Sequence, residues 1–250
     1  ASQELECSRC SACSPPKHQR PAIWKPIREF NSRIYVDGVK WTNSQGQSFH
    51  FYHIIDAGSN FHVAITSPSR ETEQVIQLLT RHWISWVGPP NEIMVDSGTE
   101  LNSEQFAAFL QRFNIKGETT CPGAHWQNGK IERHGQFLQA MLTRMDTESH
   151  ITSYEELQLA LSQCTHAKNC LSVHHGYAPE VIVFGRHSRV PGSVMSDESL
   201  PSHSQVTQED DTITPNMFRE MLQVRERARR AYHAADSCDA LRRAMLRRPC

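Results

Sequence analysis

From Ile34 to Met145 the apolar residues change period in one fixed order, and few folds accept that order. Ile34–Asp37, the aromatic and β-branched run Phe49–Ile55, and Phe61–Thr66 read as strands. Asn43–Gln47 and Asp56–Asn60 are turn-rich, so these three strands form a meander. Glu71–Trp86 switches to helical spacing through Val75, Leu78, Leu79, His82, Trp83 and Trp86, and Gly88-Pro89-Pro90 stops it. Glu92–Val95 is a further strand. Asn102-Ser103-Glu104-Gln105 reads as a capping box for a helix with Phe106, Phe109, Leu110 and Phe113 on its apolar face. Ile115–Thr119 is a last short strand. A helix from Gly129 to Met145 follows, with Ile131, Leu138, Met141, Leu142 and Met145 on its core side. The order β-β-β-α-β-α-β-α predicts an α/β fold: a mixed five-stranded sheet flanked by helices. A right-handed crossover lays the strand ending at Val95 parallel to the Ile34–Asp37 strand.

Three acids sit where a carboxylate is a poor structural choice. Asp37 ends the apolar run Ile34-Tyr35-Val36, Asp96 ends Ile93-Met94-Val95, and Glu132 follows Ile131 near a helix start. Alone, each has an ordinary reading as a strand-end, turn or first-turn helix acid. Together, the predicted topology lets them meet at one crevice beyond the strand ends, where such sheets commonly bind ligands. Three converging carboxylates suit a pair of divalent ions and in-line phosphoryl chemistry. Asp56, in a turn, is left out of this set.

Charge is distributed unevenly. The chain has a net charge of −1. Residues 31–146 are nearly neutral, residues 197–211 hold five acids and no Lys or Arg, and residues 219–250 hold nine Arg against four acids. That pattern predicts a neutral core (31–146), a helical region (147–195) opened by a Ser153-x-x-Glu156 cap, an acidic flexible linker (196–215) and an Arg-rich helical tail (216–250). The tail either contacts DNA backbone or docks through Met221, Leu222, Leu241 and Leu246. No apolar run approaches the length of a bilayer crossing, so no membrane partner is expected. No secretory signal is visible, and a chain beginning at Ala1 beside a cysteine cluster is expected to be a piece of a longer polyprotein.

Cys7-x2-Cys10-x2-Cys13 has zinc-knuckle spacing within a loop-rich entry segment, residues 1–30. The other cysteines show no pattern and are expected as free thiols in a reducing compartment.

The motifs carry a resemblance. IMVDSGTELNSEQF resembles the integrase signature DxGxEFxSxxF, and HWQNGKIERHGQFLQAML is similar to the PxxNGxxERxNxTL block with the last catalytic acid. Thirty-five residues separate Asp96 from Glu132, as in that family's triad. IYVDGVKW with IIDAGSNFHVAI resembles the opening strands, and HAKNCLSVHHGYAPEVIVFGRHSRVPG the region after the core. Over residues 7–195 the chain thus resembles LTR-retrotransposon and retroviral integrases.

The resemblance implies an RNase H-like fold and metal-dependent 3′-end processing and strand transfer of element DNA into target DNA. Asp37, Asp96 and Glu132 match the ligands of two Mg²⁺ or Mn²⁺ ions. Lys130, Arg133, Gln136 and Gln139 are expected to contact DNA from the same helix. Double-stranded DNA and further copies of the chain are the implied partners. The nucleus, after cytoplasmic synthesis, is the implied place of action. Two of Cys7, Cys10 and Cys13 match the cysteine half of a His-His-Cys-Cys zinc domain: Cys10 and Cys13 fit the distance to Lys17 best, and Cys7 with Cys10 is the alternative. The histidines of such a domain would precede Ala1, so Zn²⁺ is expected only with that preceding part. Two other readings remain: a domesticated or decayed integrase-like protein that binds DNA or partners without catalysis, and a metal-dependent nuclease of the same fold.

Overall fold

The computed structural model describes residues 29–95, 103–119, 125–174, 176–188 and 215–246. Five strands form one mixed sheet: β1 (Arg33–Thr42), β2 (Ser48–Asp56), β3 (His62–Thr66), β4 (Glu92–Val95) and β5 (Lys116–Thr119), in the order β3-β2-β1-β4-β5. The first three are antiparallel neighbours, and β4 and β5 add on in parallel. Antiparallel neighbours need only tight turns. Asn43 shapes the first, accepting from the Gln45 and Gln47 amides, and Gly46 takes the positive φ of 82° that the turn requires.

The central strand is longer than the expected Ile34–Asp37. Val39 and Trp41 resume the two-residue alternation after Asp37, so β1 runs on to Thr42 and Asp37 lies mid-strand. Ile34 and Val36 face one layer, Val39 and Trp41 the other. Such a strand, buried on both faces, marks the middle of a three-layer α/β/α stack.

One helical layer consists of α1 (Thr72–Leu79) and α2 (Glu104–Arg112). A π-helical turn (Thr80–Ile84) and a last segment (Ser85–Val87) continue α1. The sequence pattern shows no sign of that π turn. It holds the fully buried Trp83, whose Nε1 donates to Asn31 Oδ1 at 2.9 Å. Ser103 caps α2 by accepting from the Phe106 amide.

The other layer consists of α3 (His125–Ser149) and α4 (Tyr154–Leu171), joined to the sheet through Val39, Trp41, Phe51, Leu138, Met141, Leu142, Leu157 and Leu161. The Ser153–Glu156 capping box opens α4 as expected. Short α5 (Pro179–Phe184) follows, and α6 (Pro215–Leu246) packs across α3 and α4. Its contact is a small-residue seam, Ala228, Ala231 and Ala235 with Tyr232, and Leu241 is exposed rather than docked. Arg230 and Arg227 reach Glu148, and Arg225 reaches Gln163, so part of the basic face binds the protein itself. Met221, Leu222 and Leu246 have side chains outside the described residues. So do the acidic linker and the cluster Cys7, Cys10 and Cys13. Among the described residues, no helix is long and apolar enough to cross a membrane.

Candidate active site

Asp37 shares a sheet face with Val39 and Trp41, the face that α3 covers. Directly opposite it in the β1–β2 ladder is His53. Gly38, beside Asp37, is required by crowding: a Cβ there would lie 2.8 Å from the Tyr52 ring. The helix runs along β1 in the same direction. Lys130 bonds the Ala57 carbonyl near the start of the strand, Gly135 lies against His53 and Val39, and Thr143 meets Trp41 farther on. Glu132 lies between Lys130 and Gly135 on this helix, with its side chain exposed. Gly135 permits the close approach of helix to sheet, because a Cβ there would meet the His53 ring at 3.2 Å.

Val36, the residue before Asp37, is in register with Val95, the last described residue of β4. Asp96 follows it and lies outside the described residues, as do the side chains of residues 125–128 at the start of α3.

The remaining acids of this region have partners. Glu92 pairs with Arg33 and Lys116. Asp56 is fully buried and accepts from the Asn31 and Ser59 amides and the Ser59 hydroxyl, which makes it a turn-former as expected. Asp146 accepts from the Ser44 and Ile151 amides. Asp37 and Glu132 differ: among the described residues, neither pairs with Lys or Arg. Carboxylates without a cationic partner are the donor type that hard divalent cations take.

Behind Asp37 runs a buried chain that sequence reasoning missed. His53 Nε2 lies 3.5 Å from Asp37 Oδ2 and makes no hydrogen bond among the described residues. His53 Nδ1 is 3.1 Å from His62 Nε2, and His62 Nδ1 is 2.6 Å from Lys168 Nζ. Lys168 also bonds His134 Nδ1. Burial pushes all four groups toward their neutral forms, Lys168 and His62 well below their ordinary values. Were Lys168 to donate to His62 Nδ1, the proton of His62 would sit on Nε2 and be given to His53 Nδ1. The proton of His53 would then sit on Nε2, on the side of Asp37. Period-two alternation does not distinguish these histidines from core residues, and Lys168 is more than a hundred residues away in the chain.

The expected DNA-contacting residues divide. Arg133 and Gln136 are exposed beside Glu132, and Gln139 is half-buried on the same stripe. Lys130 turns inward: its Nζ donates to Ala57 O at 2.6 Å, and burial lowers its pKa to about 8. In this conformation Lys130 anchors the helix and is not presented to a phosphate.

Comparison with known proteins places the architecture. Residues 28–125 match the family model described as integrase core domain. The Pro-Pol polyprotein of feline foamy virus is 24% identical over 193 residues, covering 74% of this chain and 16% of that protein. That of simian foamy virus type 3 (strain LK3) is 22% identical over 191 residues, with the same coverage. The chain thus spans 16% of the length of these curated relatives. A chain of the simian T-cell lymphotropic virus intasome, solved with PP2A regulatory subunit B56 gamma, superposes with a TM-score of 0.58 at 19% identity. It covers 76% of this chain and 68% of that one. The HTLV-2 integrase catalytic core domain in complex with magnesium (trimeric form) superposes with a TM-score of 0.51 at 18% identity, covering 61% and 95%. At these identities the likeness is one of fold: the mixed five-stranded sheet and its helices are those of an RNase H-like integrase core.

Proposed function

From a chain that carries an integrase core domain over residues 28–125, we propose a metal-dependent polynucleotidyl transferase that processes the 3′ ends of element DNA and joins them to target DNA. The observation that carries this reading is that α3, which bears Glu132, runs along β1, which bears Asp37, and that neither acid pairs with Lys or Arg among the described residues. Asp96 is the proposed third ligand. It follows Val95, which is in register with Val36, and one peptide unit spans about 3.8 Å. One further residue of strand would bring position 96 beside Asp37 on the same sheet face.

Asp37, Asp96 and Glu132 are the residues that would hold Mg²⁺ or Mn²⁺, two ions in this reading. The solved HTLV-2 core contains magnesium. Bound there, the ions would activate the attacking oxygen and offset charge on the leaving one. The chain's residues do the rest. His53 fixes the Asp37 carboxylate from behind, as partners of metal-ligating carboxylates do. Arg133 and Gln136 lie where a DNA backbone would approach Glu132. In the first reaction water attacks a phosphodiester and the 3′-oxygen leaves. In the second that 3′-hydroxyl attacks a target phosphodiester, so one ester bond forms as another breaks. No covalent enzyme intermediate is required.

We take residues 31–146 as the catalytic unit, with α4 and α6 as its cover, acting in the nucleus as a multimer on two DNA ends. The HTLV-2 integrase catalytic core domain, solved in trimeric and dimeric forms, is a multimeric precedent for the last point.

Exchange of one phosphodiester for another is reversible, so a branched duplex representing the joined product is a probe that needs no cognate end. Purified chain with Mn²⁺ should resolve it, and Asp37→Asn and Glu132→Gln should lower the rate at least about a thousandfold (~4 kcal/mol of transition-state stabilisation). Cleavage without rejoining would favour the nuclease reading. Absence of any reaction would favour a non-catalytic protein.

A further inference from the structure

We propose that His166, Cys170 and Glu180 form a Zn²⁺ site that ties α4 to α5, separate from the carboxylate centre. Their donor atoms all lie within 4.8 Å of one another. His166 and Cys170 are four residues apart, so they project from one face of α4. Glu180, near the start of α5, is only 3% exposed, yet its carboxylate points at them. Cys170 Sγ is 3.0 Å from Glu180 Oε2 and 3.5 Å from His166 Nε2.

Those spacings can be compared with what zinc needs. Bonds of about 2.3 Å to sulfur and 2.0–2.1 Å to nitrogen or oxygen, at tetrahedral angles, put neighbouring donor atoms about 3.5 Å apart. The two edges at Cys170, 3.0 and 3.5 Å, are close to that size, and the third is within 4.8 Å. Thiolate, imidazole and carboxylate together also form the mixed set that zinc accepts and magnesium does not.

The surroundings complete the requirements of a site. Glu180 Oε1 accepts from the Ser188 amide at 3.0 Å, which fixes the carboxylate. His187 Nδ1, on an exposed side chain, lies 3.4 Å from the same oxygen and flanks it, which leaves the fourth position to water. A cavity of about 260 Å³, lined by His82, His166, Glu180 and Ser188, gives an entry path and room for water. Without a cation, the Cys170 thiol donates its proton to Glu180 Oε2. Zinc would take the place of that proton, which is released to solvent.

The test uses the full chain with Cys7, Cys10 and Cys13 changed to Ser, so that the N-terminal thiols cannot respond. Co²⁺ alone is titrated in, and the thiolate-to-cobalt absorption is read. An all-oxygen carboxylate centre cannot produce that band, so the result is independent of the proposed catalysis. The band should saturate at one equivalent, disappear on adding Zn²⁺, and be lost in Cys170→Ser. In His166→Gln the affinity should fall at least about tenfold. Absence of the band, or its persistence in Cys170→Ser, would overturn the proposal. If circular dichroism shows that Cys170→Ser does not fold, the His166→Gln titration decides, and an unchanged affinity overturns it.

Discussion

His53 Nε2 lies 3.5 Å from Asp37 Oδ2, with the two residues directly opposite one another in the β1–β2 ladder. The separation is at the outer limit of a hydrogen bond, and the nitrogen makes no hydrogen bond among the described residues. A fully buried imidazole directed at a partly exposed carboxylate restrains that carboxylate without neutralising it. His53→Asn keeps a polar group where Nδ1 meets His62 and removes the nitrogen that faces Asp37. It should leave the fold intact and weaken Mn²⁺ affinity about 10- to 100-fold, measured by calorimetric titration. Unchanged affinity would remove His53 from the support of the site.

Gly135 is where α3 comes closest to that imidazole, 3.2 Å from a Cβ built at this position. Replacing a helical glycine normally gains up to about 1 kcal/mol. Here His53 is fully buried and tied to His62, so it cannot easily yield. Gly135→Leu should therefore cost about 1–3 kcal/mol in urea unfolding and displace Glu132 with the helix.

Much of this arrangement was legible in the sequence because it is local. Turn chemistry at Asn43–Gln47 and Asp56–Asn60, the switch of period at Glu71, and the Ser153–Glu156 cap each act within a few residues. The parallel β1–β4 pairing followed from crossover handedness. The remainder depends on distant contacts. The His53–His62–Lys168–His134 chain joins β2, β3, α3 and α4. The inward turn of Lys130 depends on Ala57, and the seam under α6 is made of alanines that carry no strong apolar signal. The continuation of β1 past Asp37 was obscured by Asp37 itself, whose charge reads as a strand end.

Asp146 links α3 to the first hairpin turn and sets an acid limit on stability. Burial alone would raise its pKa, but the amides of Ser44 and Ile151 outweigh that and hold it below the ordinary carboxylate value. The folded state thus prefers the charged form, and between the two pKa values the unfolded chain binds more protons. The contribution is complete above about pH 4 and is lost as pH falls through the lowered value. Asp146→Ala should cost about 2–3 kcal/mol at pH 7 by leaving two amides without their charged acceptor. The difference from the parent protein should shrink in acid, as read by thermal melts across pH.

The seam beneath α6 leaves no room for a larger side chain at Ala228, which is fully buried. Ala228→Glu should free α6 from α3 and α4 while the sheet stays folded. Limited proteolysis should then cut within residues 215–246 faster than within the core. Equal rates in parent and variant would contradict this docking.

The central claim is that Asp37, Asp96 and Glu132 hold catalytic divalent ions. A crystal structure of the chain soaked with Mn²⁺, read by anomalous scattering, tests it most directly. The account predicts manganese coordinated by Asp37 together with Asp96 and Glu132, and no such signal in Asp37→Asn crystals. Manganese absent from these carboxylates in well-ordered crystals of the parent protein would contradict it.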